Sequence, residues 1–185
     1  MGDKQPYSEA LIDSLVDHEK HVQRNNVCLL NLEDVRRLES NPRSREFKDT
    51  FNQTIRSDMS SLVFPVQTST QGERSHLNLV HADGNSGKIT FYGCLENEED
   101  KSELESHTKS LAQKIYRKNG QINDFNIEWK SGYVGTNDDC AVTMSEGMKQ
   151  LAQKKVIKDK NLSESEIRNI RMQHVLDMEE INKET

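Results

Sequence analysis

The stretch from His76 to Tyr92 limits the fold more than any other. His76-Leu77-Asn78-Leu79-Val80-His81-Ala82 reads as a strand, Asp83-Gly84-Asn85-Ser86-Gly87 is a strong turn signal, and Lys88-Ile89-Thr90-Phe91-Tyr92 returns as the next strand. Upstream, Leu62-Val63-Phe64-Pro65-Val66 is rich in strand formers, and its proline predicts an edge or a strand end. The polar segment from Thr68 to Arg74 between them reads as a solvent-facing loop. Downstream, Asp124-Phe125-Asn126-Ile127-Glu128-Trp129 alternates as a strand. A central sheet from Leu62 to Trp129 follows.

Helical periodicity surrounds this sheet. Leu11, Ile12, Leu15 and Val16 make a stripe between Ser8 and His21, Leu32 to Leu38 reads as a short helix, and Pro42 opens another carrying Phe47, Phe51 and Ile55. Val27 to Leu30 between them is a short run of strand type. The first third is therefore expected to be a helical layer. The acidic run from Glu96 to Asp100 starts a long helix with Leu104, Leu111, Ile115 and Tyr116 on its apolar face, ending near Gly120. Ser163 and Glu166 form a capping-box pair ahead of Ile167, Ile170, Val175, Leu176 and Met178. The expectation is one α+β domain over 1–185, with a helical layer at 1–58, the sheet and a further helix at 60–155, and a closing helix at 160–185.

Composition narrows what such a domain does. Only 32% of its 185 residues are apolar and 30% are charged, with a mean hydropathy of -0.88, so a small core and solvated helices are expected. A net charge of -6 with no basic face argues against nucleic acid and suits a basic protein surface. No apolar run reaches membrane-spanning length, and the first residues lack the apolar core of a signal peptide. Cys28, Cys94 and Cys140 are odd in number and widely spaced, which suggests neither a disulfide framework nor a metal site and fits a reducing compartment. Nothing in the chain calls for a cofactor.

The chemistry-bearing stretch is Gly135 to Met144. Asn137, Asp138 and Asp139 are N-cap residues, and Ala141, Met144, Met148 and Leu151 recur at helical spacing, so Cys140 falls in the first turn of a helix. Unpaired N–H groups and the positive helix end there favour a thiolate over a thiol. A small buried residue at a helix start is the plain alternative. His76, at the mouth of its strand, is the candidate partner; its plain alternative is a surface histidine. A helix-end thiol facing an imidazole on a neighbouring strand lets the imidazole draw off the thiol proton and return it to a leaving amine.

The order of parts resembles the ubiquitin-like-protein proteases, the SUMO/sentrin-specific cysteine peptidases with their deneddylase and bacterial-effector relatives. The resemblance rests on Ser75-His76-Leu77-Asn78-Leu79-Val80, on Ile89-Thr90-Phe91-Tyr92-Gly93-Cys94, on Tyr133 to Val142 around Cys140, and on the closing Ile167-x-x-x-Arg171. It implies a papain-like cysteine protease fold of the ubiquitin-like protease type, with the central sheet packed against the nucleophile helix. It also implies Cys140 as nucleophile, His76 as base and then acid, and Asp138 and Asp139 as caps of that helix. The partner would be ubiquitin or a ubiquitin-like modifier met by a monomer, in the cytoplasm or nucleus or, for an effector, inside a host cell.

Four positions depart from that family. Leu77 stands where it has a tryptophan over the substrate's glycine tail, Gly93 stands at its catalytic aspartate, Val134 at its oxyanion glutamine, and Ala141 replaces its glycine after the nucleophile. Loss of the orienting carboxylate costs about 10²–10⁴ in rate and loss of one oxyanion donor roughly 10²–10³. Glu96 or Asn97 are candidates to replace the carboxylate, and N–H groups at the Cys140 helix start remain as oxyanion donors. Asp83 follows His76 too, but a hairpin turn wants Asp for its geometry alone. Two other classes share this order of parts. One is a pseudo-protease that binds a ubiquitin-like protein without turnover; the other is a YopJ-type acetyltransferase carrying an acetyl group on Cys140, for which Glu96 is the residue to watch.

Overall fold

Alternation along the strands sorts the apolar residues onto two faces, and each face has its own core. The computed structural model describes residues 7–22, 25–68, 76–93, 97–121, 124–135 and 139–184. Five strands form one mixed sheet in sequential order: β1 (Val27–Leu29), β2 (Ser61–Thr68), β3 (His76–Asp83), β4 (Lys88–Tyr92) and β5 (Asn126–Lys130). The antiparallel ladders β2–β3 and β3–β4 make its centre, and β1 and β5 join in parallel at the two sides. β2 outruns β1, whose pairing stops at Val63, so Pro65 lies where β2 has no further partner on that side. The missing N–H of the proline thus costs the ladder nothing.

One face carries Leu62, Phe64, Val80, Ala82, Ile89 and Phe91 and is covered by α2 (Leu32–Leu38), α3 (Arg45–Thr54) and α4 (Glu98–Lys118). Tyr116 of α4 is buried there, its hydroxyl 2.8 Å from the Ser60 carbonyl and 3.1 Å from that of Ala82, and burial pushes its phenol pKa up. The other face carries Val27, Leu29, Val63 and Leu79 and is covered by α1 (Glu9–Val22) and α5 (Cys140–Ala152). The closing helix α6 (Glu164–Glu184) packs against α1 and α5. The helices of the first third are therefore split between both sides of the sheet instead of forming one layer.

Other boundaries also moved. Ser44, not Pro42, caps α3 by accepting from the Phe47 N–H, and Ile55 is its C-cap. The run at Val27 belongs to the sheet, which thus begins before Leu62. A two-stranded sheet of β6 (Tyr133–Val134) and β7 (Lys160–Asn161) ties the approach to α5 to the approach to α6; two polar residues carry no periodicity by which β7 could be found. On α6, Val175 and Leu176 are exposed, whereas Arg171 and His174 are buried with Ile167. The loop expected from Thr68 to Arg74 lies mostly outside the described residues.

Candidate active site

α5 owes its place to a glycine. A Cβ at Gly147 would stand 3.0 Å from Leu79 Cδ2 and 3.3 Å from Ile157 Cδ1, so the missing side chain lets the helix close onto β3. Its direction follows from its other end, where the Asn25 amide donates to the Ala152 carbonyl at 2.7 Å. Asn25 leads into β1, Val27 of β1 pairs with Ser61, and Ser61 pairs with Asp83 at the end of β3. The last turn of α5 thus lies by the end of β3, and its first turn lies toward the beginning. Gly147 to Cys140 is about 10.5 Å of helix, and Leu79 to His76 is about 10 Å of strand. Cys140 and His76 open their elements at the same end of the layered pair.

The first turn of α5 is held by a buried ion pair. Asp139 stands at the N-cap position but makes no side-chain capping bond; its Oδ1 accepts from Arg171 Nη2 of α6 at 3.0 Å, with both side chains about nine-tenths buried. The Arg171 guanidinium lies 5.0 Å from the centre of the Tyr7 ring. The Tyr7 hydroxyl is 2.8 Å from His174 Nδ1, one turn further along α6. Burial pushes the Tyr7 phenol up to about 12 and the His174 imidazole down to about 4, so both are neutral near pH 7. The start of the chain, the start of α5 and the middle of α6 are thereby joined beside Cys140. Ile167-x-x-x-Arg171 and the expected cap at Asp139 were the sequence signals of this cluster; Tyr7 and His174 carried none.

Cys140 is a half-buried free thiol on the first residue of α5. The first N–H groups of such a helix have no acceptor within it, so donors for a developing oxyanion are at hand beside the sulfur. His76 is half-buried. Among the described residues no hydrogen bond joins its ring to Cys140. The β2–β3 ladder runs without a bulge from Thr68↔His76 to Ser61↔Asp83. Leu77 and Leu79 therefore share the α5 face, while His76, Asn78 and Val80 share the other. The expected thiol-facing imidazole is thus not set face to face with it: His76 and α5 lie on opposite faces of the sheet, and a contact between ring and sulfur has to pass the open end of β3.

The remaining predicted positions separate clearly. Asn97 is exposed and caps α4, accepting from the N–H groups of Glu99 and Asp100, so it is spent on its own helix and does not supply the missing carboxylate. Glu96, Asn137, Asp138 and Cys94 lie outside the described residues. Val134, in β6, is 41% exposed, and its side chain offers no donor. Asp83 binds its own turn, accepting from the Asn85 N–H and the Ser86 hydroxyl. Among the described residues no cluster of His, Cys, Asp and Glu could hold a metal ion, and no helix is long and apolar enough to cross a membrane.

No protein-family model and no curated protein matches the chain. Solved structures do. The C-terminal protease domain of Ulp1 in complex with Smt3, the yeast orthologue of SUMO, superposes with a TM-score of 0.66 at 12% identity, over 95% of this chain and 78% of that one. The catalytic domain of the Ulp1-like SUMO protease of Chaetomium thermophilum gives 0.60 at 12% identity, over 95% and 73%. The Xanthomonas campestris effector XopD bound to ubiquitin gives 0.58 at 12% identity, over 92% and 91%. With its five-stranded mixed sheet, its flanking helices and these neighbours, the chain has the α+β fold of the Ulp1-like proteases.

Proposed function

We propose that the protein is a cysteine-type peptidase or isopeptidase acting on ubiquitin or a ubiquitin-like modifier. The observation that carries the reading is the common end shared by the start of α5 and the start of β3, in a chain whose structural neighbours are SUMO and ubiquitin-like-protein proteases. Cys140 gives its proton to His76 and attacks the carbonyl carbon of the modifier's terminal glycine. The resulting oxyanion is received by N–H groups at the start of α5. His76 then gives the proton to the leaving amine as the C–N bond breaks, which leaves a thioester on Cys140. A water attacks that thioester, its proton passes to His76, and the thiol re-forms as the acid is released. The compartment carried over with this reading is the cytoplasm, the nucleus or a host cell.

A second reading has its own support. Gly93 offers no carboxylate and Val134 no amide, as expected of a domain that binds a ubiquitin-like protein without turning it over. SUMO and ubiquitin probes ending in a C-terminal alkyne separate the two. The peptidase reading predicts a covalent adduct at Cys140, lost in Cys140→Ala and slowed at least tenfold in His76→Ala. Binding without an adduct overturns it in favour of the binding module, and acetyl transfer from acetyl-coenzyme A to Cys140 overturns it in favour of an acetyltransferase.

A further inference from the structure

A base that takes a thiol proton needs a third group to hold its ring, and no carboxylate among the described residues is seen to do this for His76. Asn78 lies two residues along β3 on the same face as His76. It is 2% exposed, and its Nδ2 has no hydrogen-bond partner. A buried amide N–H group left without an acceptor costs on the order of 1–3 kcal/mol, so an Asn kept there calls for a use. Its side chain also lies over one residue in particular. Continuing the β3–β4 register past Leu79↔Tyr92 sets Asn78 opposite Gly93, and a Cβ on Gly93 would come 1.9 Å from Asn78 Oδ1 and 2.8 Å from its Cγ. Gly93 has φ +153, which side chains rarely adopt. The volume that a side chain at position 93 would occupy is filled by the Asn78 amide.

We infer that Asn78 is the positioning residue for His76: no hydrogen bond joins the two side chains in this structure, and a half-turn of the amide over Gly93 brings its oxygen to the place of the unpartnered Nδ2, where it accepts the imidazole N–H that does not face Cys140 and holds the ring toward the thiol. The inference rests on the peptidase reading above. An amide oxygen orients an imidazole as a carboxylate does but gives less support to the imidazolium, so the enzyme it makes is functional and slow.

The test is the rate of Cys140 labelling by the alkyne probe from pH 5 to pH 9 in the wild type, His76→Ala, Asn78→Ala and Asn78→Asp, with the ¹⁵N spectrum of the His76 ring in the unlabelled wild type. Asn78→Ala is expected to lose roughly 10²-fold or more at neutral pH and to take on the pH profile of His76→Ala. Asn78→Asp is expected to match or exceed the wild-type rate, and the wild-type ring to be held as one tautomer. A wild-type rate and profile in Asn78→Ala, beside a slowed His76→Ala, overturn the role of Asn78 alone. Wild-type labelling that does not depend on His76 overturns the peptidase reading and this inference together. If Asn78→Ala does not fold, the wild-type spectrum decides, since a freely exchanging mixture of tautomers overturns the inference.

Discussion

Arg171 and Asp139 are each about one-tenth exposed, so removing one leaves a charge out of water. Arg171→Met is expected to cost about 3–5 kcal/mol by urea denaturation, and Arg171→Met with Asp139→Leu to cost less, because the second change also removes the buried carboxylate that Arg171 paired. His174 contributes a pH dependence. Its folded-state pKa of about 4, set first by burial and further lowered by Lys149 and Arg171 against the pull of Asp177, lies below the ordinary 6.5. The unfolded chain therefore binds the extra proton between these values. The stabilisation is complete above about pH 6.5 and lost as the pH falls toward 4, a change of roughly 3 kcal/mol. His174→Phe is expected to flatten the stability profile across that window, as followed by thermal melts at stepped pH. At this scale the sequence singled out Cys140 and His76 because thiols and imidazoles at element starts carry chemistry on their face, and the structure sets each at the start of its element. Asn78 was not, since its meaning depends on the glycine opposite, fifteen residues further along the chain and visible only once strands are paired.

The elements were legible where period and punctuation agreed. The hairpin turn, the α4 stop at Gly120 and the Ser163–Glu166 capping box all formed as expected. Ser163→Ala is expected to cost about 1 kcal/mol in a denaturation curve. Which face of the sheet a helix covers was not legible, because α1 and α2 both carry plain apolar stripes and only the parallel entry of β1 separates them. Two glycines fix how elements approach. Gly147→Val would push a branched side chain into Leu79 and Ile157; the expected loss is about 1–3 kcal/mol, together with slower labelling of Cys140 as α5 lifts from β3. Gly93→Ala combines the clash with Asn78 and an unfavourable φ. It is expected to lower stability in the same assay and, by displacing the amide, to give Cys140 labelling kinetics like those of Asn78→Ala.

Across the whole molecule, the sheet order, the crossing of α5 over β3 and the clamp from α6 serve one arrangement. They bring the start of a helix and the start of a strand, far apart in sequence, to one end of the fold. The order of parts along the chain conveyed this because a short hairpin and a helix on one sheet leave few ways to connect them. The gaps in the family pattern at Gly93 and Val134 did not show what replaces them. The most direct measurement is to bridge His76→Cys and Cys140 with a short dithiol-linking reagent such as dibromobimane in a background of Cys28→Ser and Cys94→Ser. The account predicts a linked pair of peptides, identified by mass spectrometry and absent when Lys88→Cys, exposed at the opposite end of the sheet beside Asp83, replaces His76→Cys. Failure of the His76→Cys protein to link, in a chain that remains folded, would contradict it.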